Sequence, residues 1–264
     1  MKKLPISAFI ICCNEKDRIY HTINSLVDLV CEIIVVDSGS TDGTIEYLKS
    51  VGITPVFKKW EGYVSQKIYA ENLCSNDWVL NLDADEALSE KLIEEIRHIF
   101  NTDTLKPNGY KIKKVFVDPL KNKLNSFNPY LHFILLYHKS VASYQACHGS
   151  LYKDSVKMLD ANNKPQQLKN PIWHRSKVSL HQMLAKMNDY TELQATEMVQ
   201  KNRHFSAIRS LIEIPFTIFK YFILRRYFML GRAGFHDSVC WAFGRFIKQA
   251  KTWEKHQKQK NGDQ

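Results

Sequence analysis

The sequence predicts an α/β protein, in which a mostly parallel sheet flanked by helices is followed by a C-terminal amphipathic helical extension. In the first hundred residues, short apolar runs alternate with segments that have helical spacing. The apolar runs are nearly continuous, which is typical of parallel strands that are covered on both faces. A sheet of this kind binds its ligands beyond the carboxyl ends of its strands.

The elements of the first hundred residues can be assigned in order. Strands are predicted at residues 6–11, 32–37, 55–57 and 78–83, and helices at residues 15–30, up to residue 50, at 62–73 and after residue 89. Ser89 is a suitable N-cap for the last of these helices, since Leu92 and Ile96 follow on one face.

Beyond residue 108 the pattern changes. Strands are predicted at residues 109–113 and 131–137, with a polar loop at 118–129 between them, and the chain is helical again from residue 179. We therefore predict an α/β domain over residues 1–178, with halves at 1–105 and 106–178. A helical basic extension is expected over 179–254, and a disordered tail over 255–264.

The positive charge is concentrated near the C-terminus. Residues 201–264 contain 13 Lys and Arg but 4 Asp and Glu, whereas the whole chain has a formal net charge of +10. Two apolar, aromatic stretches at residues 205–230 and 239–253 are edged with Lys and Arg, and neither reaches the ~20 apolar residues that a membrane span needs. They predict helices that lie in the interface of an anionic membrane, or helices that pack on the main domain with a solvated basic face.

Other features limit the location and the class of partner. The six cysteines form no CxxC pair, and no secretory signal precedes the first strand, which favours reduced thiols in the cytoplasm. The aromatic residues of the basic region cluster in apolar helices instead of alternating with exposed cations. This argues against a nucleic-acid-binding module.

Polar side chains follow three of the predicted strands. Asp83 and Asp85 stand two residues apart after a buried strand, so that their carboxylates point the same way. A divalent cation carrying a phosphate would suit them, although acids at this position also cap helices. Asn14, Glu15 and Asp37 follow neighbouring strands, and all these side chains should meet at one crevice.

Each of the other polar residues has a structural alternative. Asp37 can accept hydrogen bonds from a base or a ribose, or it can cap the turn that follows it. Asn14 and Glu15 suit the first turn of a helix. Gln66 and Lys67 form either a solvated helical patch or a contact to a pyrophosphate.

Several segments together resemble the family 2 glycosyltransferases. More narrowly, they are similar to the bacterial branch that contains the lipopolysaccharide inner-core β-1,4-glucosyltransferases. The resemblance spans residues 5–253. The segments that carry it are IICCNE at 10–15, VVDSGSTDGT at 35–44, WEGYVSQK at 60–67, LDADE at 82–86 and LGRAGF at 230–235.

The resemblance implies a GT-A fold, a nucleotide-diphosphate sugar as donor and Mg²⁺ or Mn²⁺ as cofactor. Asp37 would contact the uracil–ribose end, Asp83 and Asp85 the ribose and the metal, and His174 would be a further metal ligand. The implied reaction is an inverting transfer of a hexose, glucose by preference, from a UDP-sugar to a lipid-linked saccharide such as the lipopolysaccharide inner core. The enzyme would work as a peripheral protein at the inner face of the cytoplasmic membrane.

The sequence departs from the branch in its second half. Gly149 stands where the branch has a Glu that would act as general base, and Leu135 stands where the branch has an Arg. Three residues are left as candidate bases, namely His148, Glu86 and Asp154. The departures also allow a divergent protein that binds the donor but turns over slowly or uses another acceptor. A metal-dependent nucleotidyltransferase is less consistent, because residues 8–14 contain no Gly/Lys/Arg-rich phosphate loop.

Overall fold

The computed structural model describes residues 2–102, 105–117, 124, 127–146, 154–175, 180–204 and 207–262. The chain divides into two compact units. The α/β unit comprises residues 1–116, 130–147 and 154–176, and the helical unit comprises 117–129, 148–153 and 177–264. The domain boundary predicted near residue 178 lies close to the last of these divisions.

A mixed, mostly parallel sheet forms the centre of the α/β unit. Its strand order among the described residues is β3-β2-β1-β4-β7-β6-β10-β5, and β8 and β9 form a separate antiparallel pair. The strands are β1 Leu4–Cys12, β2 Val30–Asp37, β3 Val56–Phe57, β4 Trp78–Asp83, β5 Glu86–Leu88, β6 Gly109–Phe116, β7 Tyr130–His138, β8 Ala142–Ala146, β9 Asp154–Met158 and β10 Gln166–His174. Strands β3, β2, β1 and β4 are parallel to one another, and β7 pairs with β4 in the antiparallel direction.

Both faces of this sheet are buried, as the continuous apolar strands predict. Phe9 and Val79 pack into one core cluster, whereas Ile10 and Leu80 pack into the other. Because successive residues of a strand point to opposite faces, a strand between two buried faces needs an apolar residue at every position.

In the described part of the α/β unit, four helices flank the sheet, namely α1 Lys16–Leu26, α2 Thr44–Ser50, α3 Tyr63–Asn72 and α4 Glu90–Phe100. The predicted cap of α4 is confirmed, since Ser89 Oγ accepts a hydrogen bond of 3.2 Å from Leu92 N. The helix predicted to reach Val30 instead ends at Leu26, because Val30 pairs with Leu4 as the first residue of β2. The short strand β5 was not predicted, since residues 86–89 were interpreted as the approach to α4.

The register brings the predicted polar residues to one edge of the sheet. Cys12 lies opposite Asp37 across β1 and β2, and Ile11 lies opposite Asp83 across β1 and β4. The carboxyl ends of these three strands are therefore level. This arrangement places the Asn14–Glu15 turn beside both aspartates.

The helical unit contains α5 Leu180–Gln200, α6 Ala207–Phe219, a π-helical turn Lys220–Leu224, a 3₁₀ turn Tyr227–Leu230 and α7 Arg232–Gly262. Among the described residues, none of its helices is both long and apolar enough to cross a bilayer. The predicted disorder from residue 255 differs from the structure, in which α7 continues to Gly262. Ion pairs explain the extension, because Lys258 lies 2.6 Å from Glu254 one turn away and Lys255 lies 2.6 Å from Glu192 of α5.

Candidate functional site

The Asp37 carboxylate organises the turn after β2. Its Oδ1 accepts hydrogen bonds of 2.8 Å from both Gly39 N and Ser40 N, and its Oδ2 accepts from Ser40 Oγ and, at 3.4 Å, from Cys12 Sγ. The residue is 2% exposed. In this conformation Asp37 caps its own turn, and the predicted contact to a base or ribose stays a prediction.

The turn after β1 is joined to the turn after β2. Asn14 has a φ of 56°, a left-handed conformation that Asn tolerates better than most residues. Its Oδ1 accepts a 2.8 Å hydrogen bond from Thr41 N, and its own N–H donates to Ser40 Oγ. The Glu15 N–H donates to Thr44 Oγ1 at 2.9 Å. These bonds join the turn after β1 to the turn after β2, and we call these two turns the rim of the site.

A buried arginine extends this rim to the second aspartate. Arg18, on α1, donates from Nε to Glu15 Oε2 at 2.8 Å, and from one terminal nitrogen to Asp85 Oδ2 at 3.3 Å and Arg175 O at 3.1 Å. Arg175 N in turn donates to Asp85 O at 2.9 Å. Both the backbone and the side chain of Asp85 are therefore held in place.

Asp85, Glu86 and His174 form a group of three possible metal ligands. One ligand atom from each lies within 4.8 Å of the others. The antiparallel pairing of β5 with β10 causes this, since it sets His174 directly opposite Glu86. Two carboxylates and an imidazole are a donor set that divalent cations accept.

The polar atoms of this group are consistent with a bound cation. Asp85 Oδ1 and His174 Nδ1 are buried without a hydrogen-bond partner among the described residues, although Asp85 Oδ1 lies 3.3 Å from His174 Nε2. Buried polar atoms of this kind are costly unless a ligand satisfies them. The group therefore fits the predicted metal, with Glu86 as a ligand that the sequence did not assign.

Asp83 lies outside this group of three and is held by two lysines. Its Oδ1 lies 2.9 Å from Lys67 Nζ and its Oδ2 lies 3.4 Å from Lys114 Nζ, yet its side chain remains 45% exposed. Lys67 Nζ also donates to Asn81 Oδ1 and Leu82 O, at 2.6 and 2.7 Å. All three N–H donors of Lys67 Nζ therefore have partners within the protein, whereas part of the Asp83 side chain remains accessible to solvent.

Gln66 also serves the scaffold in this conformation. Its Nε2 donates to Ser38 Oγ, Lys58 O and Lys59 O at 3.2, 3.0 and 2.8 Å. It is fully buried, so that it joins the turn after β2 to the segment before α3. The pyrophosphate contact predicted for Gln66 and Lys67 would require these bonds to rearrange.

The charges of the group shift each other's protonation. Burial opposes the charged form of Asp85, but His174 and Arg18 outweigh it and lower the pKa of the carboxyl. Burial likewise opposes the imidazolium of His174, but Asp85 and Glu86 raise its pKa. Burial raises the pKa of Glu86 despite Lys114, with which it forms an ion pair. The Asp85 carboxylate and the His174 imidazolium therefore stabilise each other.

Of the three candidate bases, Glu86 alone has a described side chain. Glu86 is 1% exposed and paired with Lys114, which leaves it poorly placed to reach an acceptor hydroxyl. Asp154 begins β9, but its side chain lies outside the described residues, as do His148 and Gly149. Leu135 is 4% exposed and packs into a core cluster of the sheet.

Two site residues were not identified from the sequence. Arg18 follows Glu15 by three residues on a predicted helix, a spacing that indicates an ion pair. Lys114 lies on β6 and is 9% exposed, and it forms ion pairs with Asp83 of β4 and Glu86 of β5. A lysine in a strand that is otherwise apolar on its inner positions was the available signal.

The chain is similar to glycosyltransferases over most of its length. The model of glycosyl transferase family 2 matches residues 7–157. An uncharacterized glycosyltransferase of Rickettsia conorii is 41% identical over 262 residues, which cover 97% of this chain and 92% of that protein. The lipopolysaccharide core biosynthesis glycosyltransferase LpsC of Rhizobium meliloti is 25% identical over 269 residues, which cover 96% of this chain and 94% of that protein.

Among solved structures, Staphylococcus aureus TarS 1–349 in complex with UDP-GlcNAc matches with a TM-score of 0.44 and 12% identity, over 98% of this chain and 92% of that one. The mixed, mostly parallel sheet with flanking helices agrees with the predicted GT-A fold. The family match covers more than half of the chain and the Rickettsia relative covers nearly all of it. The protein therefore belongs to glycosyl transferase family 2.

Proposed function

We propose that the protein is an inverting, metal-dependent hexosyltransferase that uses a UDP-sugar, by preference UDP-glucose. The observation that carries the proposal is the group formed by Asp85, Glu86 and His174 at the sheet edge where Asp37 and Asp83 also lie. Acidic and imidazole ligands beside a strand-end crevice suit a metal–diphosphate complex.

The proposed metal ligands are Asp85, Glu86 and His174, with Asp83 facing the donor. This revises the predicted set of Asp83, Asp85 and His174. Glu86 is included because one ligand atom of each of Asp85, Glu86 and His174 lies within 4.8 Å of the others, and Asp83 is assigned to the donor side because its side chain is 45% exposed. A divalent cation, Mg²⁺ or Mn²⁺, would supply Lewis-acid stabilisation of the leaving diphosphate. Asp37, Asn14 and Glu15 would shape the nucleotide end of the crevice.

Transfer with inversion also needs a group that takes the proton of the acceptor hydroxyl. The burial of Glu86 and its pairing with Lys114 disfavour it for this role. His148 and Asp154 remain the proposed bases.

We propose a lipid-linked saccharide, such as the lipopolysaccharide inner core, as the acceptor, and a peripheral location at the inner face of the cytoplasmic membrane. Similarity to LpsC over nearly the whole chain supports the acceptor class. The concentration of Lys and Arg in residues 201–264 supports attraction to an anionic membrane surface.

A divergent, weakly active donor-binding protein is the second candidate. Gly149 in place of the expected Glu favours it, as does Leu135, whose buried position in the core offers no charged group to an acceptor. It shares the donor site with the first candidate and differs in turnover.

Thermal unfolding with UDP, with and without Mn²⁺, tests the donor site. We expect UDP and Mn²⁺ together to raise the Tm of the wild type, and Asp85→Ala to lose most of this shift. Asp28→Ala, which removes an exposed carboxylate in the turn after α1, is the matched control and should keep the shift. An equal shift in Asp85→Ala would overturn the metal assignment.

Metal-dependent hydrolysis of a panel of UDP- and GDP-hexoses then separates the two candidates. Measurable turnover with one UDP-hexose supports the transferase. Binding of UDP-sugars without turnover, either by hydrolysis or with lipopolysaccharide core acceptors, supports the divergent protein. Binding of GDP-sugars alone would contradict both proposals for the donor.

A further inference from the structure

The helix α6 presents large apolar side chains to the outside. Among its described residues, Ile208, Leu211 and Ile212 are 74, 75 and 66% exposed, and Phe216 and Phe219 are 57 and 52% exposed. Their spacing of three and four residues places all five on one side of the helix. We call these five residues the outer face of α6.

The opposite side of α6 includes polar side chains that are packed against protein. Thr217 is 5% exposed, and Glu213 Oε2 accepts a 2.7 Å hydrogen bond from Gln249 Nε2 of α7. Arg245, also on α7, lies 3.5 Å from Glu213 Oε1. A helix at a water-exposed surface normally shows the reverse arrangement, with its apolar stripe toward the core.

The helix α7 is inverted in the same way along its first half. Gly234, Ser238 and Ala242 recur every fourth residue and are buried, and Ser238 Oγ donates to Gly234 O at 2.7 Å. A Cβ on Gly234 would lie 1.8 Å from Tyr227 O, so that the backbones approach closely there. On the outside, Trp241 and Phe243 are each 48% exposed. Small residues at the helix contact and large apolar residues outside are typical of helices that pack in lipid.

The composition of the segment that contains α6 favours an anionic surface as the occupant. Residues 207–232 contain five basic residues, namely Arg209, Lys220, Arg225, Arg226 and Arg232, and a single acid. That acid is Glu213, whose side chain is 17% exposed and paired inward. No described helix is able to span a bilayer, which leaves an element that lies in the interface.

We propose that the outer face of α6 inserts into the interfacial layer of an anionic lipid bilayer, with the basic residues of the segment 207–232 held against the headgroups. This inference deepens the proposed membrane location, since it names the helix that enters the lipid and the side of that helix. The apolar side chains supply the affinity, and the cations select anionic lipid.

Co-sedimentation of the full chain with lipid vesicles tests the proposal. We expect the wild type to bind vesicles of phosphatidylglycerol and phosphatidylcholine, and to bind pure phosphatidylcholine much more weakly. Leu211→Glu/Ile212→Glu should weaken binding at least about a hundredfold, because two charges replace two inserting side chains. Val27→Glu/Val51→Glu makes the same change at two exposed valines of the α/β unit and should bind like the wild type.

A variant with fewer positive charges measures how much the basic residues contribute to binding anionic lipid. Arg225→Gln/Arg232→Gln should weaken binding to the anionic vesicles by about fivefold for each charge removed, and should leave binding to phosphatidylcholine unchanged. Circular dichroism of each variant in the absence of lipid checks that the helices remain folded.

Three outcomes would overturn the inference. The first is that the wild type does not bind anionic vesicles. The second is that the Leu211→Glu/Ile212→Glu variant binds them as tightly as the wild type. The third is that the wild type forms a dimer in the absence of lipid and this variant is monomeric. The last outcome would assign the outer face of α6 to a second copy of the chain. The Tm shift with UDP and Mn²⁺ should be equal in the wild type and this variant, so a wild type without any shift refutes the proposed donor site and leaves the membrane inference standing.

Discussion

The α/β unit buries large apolar side chains, whereas the helical unit exposes many of them. In the α/β unit Phe9, Ile10 and Leu80 are fully buried, while the acids of the site collect at the strand ends. In the helical unit Ser238 and Thr252 are fully buried, while large aliphatic and aromatic side chains are exposed. The first unit is stable by withdrawing apolar surface from water, whereas the second still exposes much of its apolar surface. Each of these differences can be tested by substitution.

The largest contrast is expected from two leucine truncations. Leu80→Ala should lower the free energy of unfolding by about 2–5 kcal/mol, because it empties part of a closed core. Leu211→Ala should change it by no more than about 0.5 kcal/mol, because a side chain that is 75% exposed fills no cavity. Urea denaturation in the absence of lipid measures both values. Equal losses would show that the outer face of α6 packs against protein, and would remove the contrast between the units.

The close approach of α7 to the preceding 3₁₀ turn should tolerate no added methyl group at Gly234. Gly234→Ala should cost about 1–3 kcal/mol, because the new Cβ meets the Tyr227 carbonyl oxygen, a backbone atom. Gly244→Ala is the matched control on the same helix, since its Cβ would lie 2.9 Å from the flexible Met187 Sδ, which can move away. Thermal melting of the two variants gives the comparison. A Gly244→Ala variant that is as destabilised as Gly234→Ala would argue against a specifically tight contact at Gly234.

In the α/β unit, buried polar residues that position the proposed metal ligands should affect the affinity for the metal. Arg18→Met should weaken Mn²⁺ binding about tenfold, because it releases the Asp85 carboxylate from a charged partner that positions it. Arg97→Met is the control, since Arg97 donates only to the backbone carbonyls of Lys2 and Asp28 among the described residues. Electron paramagnetic resonance of free Mn²⁺ measures affinity without turnover. If both variants bind Mn²⁺ like the wild type, Arg18 has only a structural role.

The smallest expected effect is that of a helix cap. Ser89→Ala should cost about 1 kcal/mol, because Leu92 N loses the side-chain acceptor that caps the start of α4. Vesicle binding should not change, since the substitution lies in the α/β unit. Urea denaturation and co-sedimentation check the two parts, and a change in vesicle binding would show that the lipid contact is not confined to the helical unit.

Local pattern was sufficient for most of the α/β unit. The apolar runs and the Ser89 cap predicted β1, β2, β4 and α4, because strand and helix periodicity is a property of neighbouring residues. The prediction from sequence was wrong where a strand is defined by a pairing partner that lies far away in the sequence. The strand β5 exists because Glu86 faces His174 across an antiparallel pair, and a run of three residues contains no periodicity that could show it.

The same limit applies to the site. The sequence placed Asp37, Asp83 and the Asn14–Glu15 turn at one edge, because parallel strands end together. It could not show that Lys67 and Lys114 draw Asp83 aside, nor that Glu86 joins Asp85 and His174. These choices depend on side chains brought together by the whole sheet.

By itself the sequence determined the family, the order of the main elements and the amphipathic nature of the C-terminal helices. Only the tertiary structure decided which side of α6 is packed. Hydrophobic periodicity shows that a helix has two unlike sides, but the same pattern is obtained whether the apolar side faces a core or a bilayer. Glu213 and Thr217 resolve this, because their contacts with neighbouring protein leave the apolar side of α6 facing outward.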